Sequence, residues 1–208
     1  MPDAQVSDRD ASSPLSPVVL WRGWLGIFVL SLLLYGATAN RGAQWQDSGW
    51  HILQIANKQL LHPRGLALSH PVHHWLGRAA VATGMTEACF AITLISALAG
   101  AVAVANVFGC VCTLTRSAKA ATLSAVSLAI AHTFWQLSTR TEVYTVSAAL
   151  FAGECWCLSA YAARRRPIHL VGMLLLNGLG VGNHMQAVLT TPVVGFVALH
   201  GFWTKRVA

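Results

Sequence analysis

Six long apolar stretches, with clusters of basic residues between them, constrain this chain more than any motif it carries. They run from Val18 to Ala39, Ala88 to Leu114, Ala120 to Trp135, Val143 to Ala163, Ile168 to Val181 and Gln186 to Trp203. The first approaches the ~20 residues that a helix needs to cross a bilayer. Charged residues make up 10% of the sequence and hydrophobic ones 55%, where a soluble domain carries about 25% charged residues. A soluble fold of this length would lack the polar side chains to cover its surface. Lipid removes that demand, so the expected class is all-α: a polytopic transmembrane bundle of about six spans, integral to the bilayer.

The formal net charge is +7, and its placement is informative. Arg116 with Lys119, the run Arg164-Arg165-Arg166, and Lys205-Arg206 all fall in connectors. Positive residues stay on the cytoplasmic side, so the charge sets orientation and is not a nucleic-acid footprint. A cytoplasmic N-terminus puts every one of these clusters on that side. Asn40–Glu87, Gln136–Glu142 and Gly182–His184 then lie on the non-cytoplasmic side. The expected location is a bacterial plasma membrane in preference to the endoplasmic reticulum. Residues 1–17, rich in Ser, Pro and Asp, read as a disordered cytoplasmic tail. Residues 18–208 read as one transmembrane domain with its first outer loop at 40–87. Ala37-Thr38-Ala39 looks like a signal-peptidase site, which leaves a cleaved signal as an alternative to an anchor. The five cysteines lie in apolar sequence, and the pairs Cys110/Cys112 and Cys155/Cys157 are spaced to fall on different helix faces. They read as small apolar residues, and no metal set is assigned.

The first outer loop is unusually rich in chemistry. Asp47-Ser48-Gly49 leads into Trp50, Leu53, Ala56, Leu60 and Leu61 at roughly helical spacing, which predicts an amphipathic interfacial helix stopped by Pro63 and Gly65. A second short helix is expected from Pro71. Five of the nine histidines (His51, His62, His70, His73 and His74) sit in this loop. Histidine carries protons, binds phosphate and ligates metals, so the concentration points to chemistry at the membrane surface. Asp47 serves equally as a helix cap, and capping would fix a carboxylate in space. His70, His73 and His74 have metal-like spacing without a neighbouring carboxylate or cysteine, and interfacial packing explains them as well.

Two further elements face the same side. Arg140 and Glu142 sit where the third and fourth stretches meet the surface: helix-stopping charges, or an arginine for an anionic headgroup beside an orienting carboxylate. Gly180-Val181-Gly182-Asn183-His184 predicts a broken helix whose polar groups face a cavity. Glu154 lies in mid-span, too deep for that site. With Asn106 and Asn177 it supports an alternative, a small-solute or ion transporter or channel subunit. A non-catalytic membrane scaffold is a third reading.

Taken in order, Gln46-Asp47-Ser48-Gly49, the His-Pro pairs at His62 and His70, Phe134-Trp135 followed by Glu142-Val143-Tyr144, and Gly182-Asn183-His184 resemble a known pattern. The chain resembles a multipass family related to protein O-mannosyltransferases, within the GT-C membrane glycosyltransferases, from about Trp45 to Pro192. Trp50 stands where related sequences often have an acidic residue, and the chain has fewer spans than such enzymes. The resemblance therefore implies a GT-C-like N-terminal part, incomplete at its C-terminus. It implies Asp47 and Glu142 as the acidic, catalytic positions and His184 as the histidine of the Gly-Asn-His element; the residue reading adds Arg140, His70, His73 and His74, with His184, as substrate-binding. It implies a polyprenyl-phosphate sugar donor and a hydroxyl acceptor on protein or lipid. The need for a divalent metal is left open.

Overall fold

The computed structural model describes residues 16–203, so the expected tail up to residue 15 and Lys205-Arg206 lie outside it. Among the described residues all regular structure is helical. The helices are α1 (Pro17–Thr38), α2 (Gln46–Ala56), α3 (Pro71–Ala82), α4 (Ala88–Thr115), α5 (Ala118–Ile130), α6 (His132–Ser138), α7 (Val143–Arg164), α8 (Pro167–Asn183) and α9 (Thr191–Trp203). Short 3-10 turns occupy Leu66–Leu68 and Met185–Leu189.

Three of the six expected spans, α1, α4 and α7, are long and apolar enough to cross a membrane, consistent with a membrane protein. The other three stretches form apolar helices of 10–17 residues. Each is shortened by a break. The third stretch divides at Ala131, whose ψ of 121° is not helical, giving α5 and α6. The fifth ends at His184, and the sixth loses its first turn to the 3-10 segment before α9 begins.

Local chemistry sets the ends. Ser16 caps α1, its Oγ accepting from the Val19 N–H at 3.3 Å, and Pro17 takes the first turn, where no donor is needed. α4 and α7 close on Arg116 and Arg165, both left-handed with φ near 55°.

α4 is the central element, with α1, α5 and α7 against it and α3 over its beginning. Buried small residues, among them Ala97, Ala101, Ala105, Ala121 and Ala125, let these helices approach closely. That is the device available where lipid is as apolar as the side chains and cannot drive association. α4 and α7 meet closely at Gly109, where an added Cβ would lie 2.6 Å from the Trp156 indole. Polar residues tie the helices across this core. Asn106 accepts from Trp24 Nε1 and donates to the Ala149 carbonyl, each at 3.1 Å, joining α1, α4 and α7. Asn177 donates to Glu154 Oε2 at 3.1 Å and to Thr190 Oγ1 at 2.8 Å, joining α7, α8 and the approach to α9. The in-span residues Asn106, Glu154 and Asn177 thus each have partners within the bundle.

The Trp156 ring is held by Thr113, which accepts from its Nε1 at 3.1 Å, and by Trp21, so it cannot retreat from a new methyl group. Gly109→Ala is expected to destabilise the bundle by about 1–3 kcal/mol, read as a lower thermal midpoint in detergent. An unchanged midpoint would mean that α4 and α7 are not in contact there.

Candidate active site

The loop helices turn their polar sides inward. α2 buries Ser48, His51, Gln54 and Ile55 and leaves Trp50 and Leu53 outside. α3 buries His73, His74 and Gly77 and leaves Trp75 and Leu76 outside. Gly77 lets Ile55 pack against the α3 backbone, and Arg78 Nη1 donates to the Ile55 carbonyl at 3.3 Å, closing the end of α2. The pair is amphipathic as expected, with the apolar side free to meet an interface. α2 stops at Ala56, short of Leu60 and Leu61, because Lys58 turns left-handed at φ 59°.

Asp47 is not a cap. Trp45 occupies that position without a side-chain bond, and Asp47 stands exposed in the first turn, where the helix dipole favours a carboxylate. Gly49 follows because a Cβ there would run into the Gln44 carbonyl oxygen. Gln46, just ahead of Asp47, is left-handed at φ 54°, and so is His70 at φ 45°. Non-glycine residues rarely adopt this conformation, and they keep it only where the surroundings over-determine it.

Glu142 is set in a frame of buried hydroxyls. Ser96 Oγ accepts from the Glu142 N–H at 2.9 Å and donates to its carbonyl at 3.1 Å. Gln44 reaches in from the loop, accepting from the Thr141 N–H and donating to Thr93 Oγ1, both at 2.8 Å. Thr93 and Thr141 share a hydrogen bond at 3.0 Å. Ser48 Oγ donates to Glu142 Oε1 at 2.7 Å and so joins α2 to the start of α7. Burial pushes the Glu142 carboxyl above its usual range; the Ser48 bond opposes this, Asp47 adds to it and Arg140 opposes it.

Asp47, Glu142, His51, His62, His70, His184, Arg64 and Tyr144 line a cavity of about 130 Å³. His51 meets His70 edge-on at 5.3 Å between centroids, and His184 stacks on His70 at 5.2 Å. His70 Nδ1 is 2.8 Å from the Asn183 carbonyl. Burial, helped by repulsion from His70, takes His51 down to about 4. His70 is lowered as well, chiefly by burial.

Of the residues read from sequence, Asp47, Glu142, His70 and His184 meet in this cavity. Arg140 is exposed beside Glu142 and does not line the cavity, where Arg64 supplies the guanidinium. His73 and His74 do not line it either. They pack behind it with Gln54 and Ser69, and His73 is 1% exposed, with Nε2 lacking a partner and burial taking the ring to about 3. Among the described residues no group of three or more His, Cys, Asp or Glu is arranged to hold a metal ion, so the metal-like spacing at His70, His73 and His74 does not become a ligand set. Sequence reasoning named Asn183 within the broken-helix element and gave it no role of its own; it is 1% exposed. Its Nδ2 donates to the Val143 carbonyl at 3.0 Å and to Ser147 Oγ at 2.8 Å, while its own carbonyl holds His70. The Gly-Asn-His pattern drew attention to its histidine, but the asparagine joins α3, α7 and α8.

A helical bundle with three membrane-length helices and a carboxylate–imidazole cavity at its loop end defines the class. Residues 47–206 match the family described as Protein O-mannosyl-transferase TMEM260 N-terminal domain, and the chain belongs to that family. No curated protein and no solved structure matches it.

Ser48 is the bond that opposes the upward shift of Glu142. Ser48→Ala is therefore expected to raise the Glu142 titration midpoint further, followed by carboxyl carbon resonances of glutamate-labelled protein. A midpoint that falls or stays would mean that α2 does not reach α7.

Proposed function

We propose that this chain carries the catalytic loop of a GT-C-type glycosyltransferase that moves a sugar from a polyprenyl-phosphate donor to a hydroxyl acceptor on the non-cytoplasmic side. The observation that carries this reading is that Asp47, Glu142 and Arg64 share one cavity with four imidazoles. Membership of a protein O-mannosyl-transferase family supports the reaction class. The basic clusters at Arg116 and at Arg164–Arg166, both at the far ends of helices that start near the cavity, support the side.

A second feature supports a lipid-linked donor. An apolar groove of about 360 Å³, lined by Leu150, Phe151, Leu176 and Leu189 among others, meets the cavity at Tyr144, which lines both. A polyprenyl chain would lie in this groove, entering sideways from the bilayer, with its phosphate and sugar in the cavity.

In the proposed step Asp47 accepts the proton of the acceptor hydroxyl. The hydroxyl oxygen attacks the anomeric carbon while the bond from that carbon to the phosphate oxygen breaks, and the lipid phosphate leaves with the electron pair. Direct displacement inverts the anomeric centre. A hydroxyl is a weak nucleophile at neutral pH, and a fixed carboxylate contributes to its activation. Arg64 within the cavity, with Arg140 beside it, offsets charge developing on the departing phosphate. Glu142, tied to Ser48, holds α2 and hence Asp47 against α7.

Sugar transfer from labelled polyprenyl-phosphate donors, in membranes containing the chain, tests the assignment. Asp47→Asn is expected to lower transfer about 10²–10⁴-fold in protein that still inserts and folds. Transfer at the unsubstituted rate would remove Asp47 from the mechanism.

A further inference from the structure

Three of the cavity imidazoles have their tautomers set by the backbone, and not all in the same sense. His70 Nδ1 faces the Asn183 carbonyl at 2.8 Å. A carbonyl oxygen only accepts, so this nitrogen carries the hydrogen and the lone pair of a neutral ring is left on Nε2. His62 Nδ1 accepts from the Arg64 N–H at 3.0 Å, and His184 Nδ1 accepts from the Gln186 N–H at 3.2 Å. A backbone N–H only donates, so on these two neutral rings the hydrogen sits on Nε2. His70 and His184 lie nearly parallel, 19° apart, with centroids at 5.2 Å. Two stacked rings that line one cavity therefore keep complementary free nitrogens, an acceptor on His70 and a donor on His184.

We infer that this pair of edges binds sugar hydroxyls, with His70 Nε2 accepting from one hydroxyl and His184 Nε2–H donating to a neighbouring one. The inference rests on the transferase reading and deepens it by dividing the ligand between two parts of the site. A hydroxyl both donates and accepts, so a sugar diol satisfies both edges. A phosphate oxygen only accepts. It would suit His184 or His62, but it would meet the lone pair of His70 without a hydrogen between them. The phosphate belongs with Arg64, and the imidazole pair belongs with the neutral part of the donor. This differs from the role in binding anions that the loop histidines suggest in sequence.

The groups around His70 are compatible with a neutral ring. Asp47 and His51 face it from α2, His62 and Arg64 from the loop, Glu142 and Tyr144 from the start of α7, and His184 from the end of α8. Burial lowers its pKa most; the Asn183 bond opposes this, His184 and His62 add to the lowering, and Asp47 opposes it. The acceptor edge is thus present at neutral pH. It disappears as pH falls through a midpoint below the ordinary imidazole value, when Nε2 takes up a proton.

The first test reads the tautomers without reference to activity. The full chain, labelled with ¹⁵N-histidine and held in lipid nanodiscs, is expected to show His70 protonated at Nδ1, and His62 and His184 protonated at Nε2. A His70 signal protonated at Nε2, or doubly protonated at neutral pH, would overturn the inference. The second test uses citronellyl phosphate with and without an attached mannose. His70→Asn keeps an amide donor for the Asn183 carbonyl and removes the Nε2 edge. It is expected to weaken binding of the mannosylated compound about tenfold, the loss of roughly one hydrogen bond, and to leave the sugar-free phosphate unchanged. Equal weakening of both compounds, or of neither, would overturn the inference. If the wild type binds neither phosphate compound, the transferase reading fails by itself, and methyl mannoside titrated against the same nitrogen signals decides the hydroxyl edge. Joint shifts at His70 and His184 uphold it, and their absence overturns it.

Discussion

The reciprocal hydrogen bonds between the Ser96 hydroxyl and the backbone of Glu142 are the point from which the loop end of this molecule is built. The first N–H groups of a helix have no partner within the helix, and in a membrane protein water cannot be relied on to supply one. Ser96, buried on α4, meets both the donor and the acceptor of Glu142 and so docks the start of α7 on the central helix. Gln44, Thr93 and Thr141 extend the clamp to the chain leaving α1. Ser48 then fastens α2 to the Glu142 side chain. The carboxylate is thus the last member of a polar assembly that orders three parts of the chain, and its raised pKa follows from the burial this requires. Asp47, one residue before Ser48, stays exposed. Two carboxylates on one cavity therefore differ in environment, one built into the frame and one open to whatever enters.

The histidines follow the same logic of enclosure. Packing the polar side of α2 and α3 inward would strand charged imidazoles in a low-dielectric interior, so burial holds His51, His70 and His73 in the neutral form. A neutral ring is directional, with one edge giving and the other receiving. Which nitrogen carries the hydrogen is decided by backbone groups two residues away for His62 and His184, and 113 residues away for His70. The left-handed backbone at His70, the start of α3 at Pro71 and the position of Asn183 all serve that one orientation.

Much of this was legible in the sequence because lipid makes composition decisive. The apolar stretches, the loop helices and the break at His184 follow from hydropathy, proline and glycine placement. The helix lengths were less legible, since Ala131 and the turn after His184 interrupt apolar runs without any glycine or proline at the break itself. Asp47, Glu142, His70 and His184 stood out because the outer segments that carry them follow one another in the order of a recognisable pattern. Arg64 did not, because a basic residue in a surface loop is ordinary until folding brings it to a wall of the cavity. His73 and His74 lie outside the cavity because the spacing that links them to His70 is not carried by one helix. Their spacing from His70 is that of ligands on one helix face, but His70 precedes the helix in a left-handed conformation, and local spacing rules do not carry across such a residue. Asn183 depends on contacts 36 and 40 residues away in sequence, which no local pattern encodes.

The cavity and the apolar groove join at Tyr144, and that junction bears on how one ligand could satisfy both. Beyond Tyr144 the groove runs between α7, α8 and the 3-10 turn at Met185–Leu189. That turn is fixed at one end by His184, whose Nδ1 accepts from the Gln186 N–H, and at the other by Thr190, which donates to Glu154 at 3.4 Å and receives from Asn177. The same short segment therefore sets the tautomer of a cavity imidazole and forms a wall of the groove. On the proposed reading, a lipid chain that displaced the turn would also disturb the donor edge of His184. Occupation of the groove and recognition of the sugar would then be coupled through five residues, with no rearrangement of the bundle required.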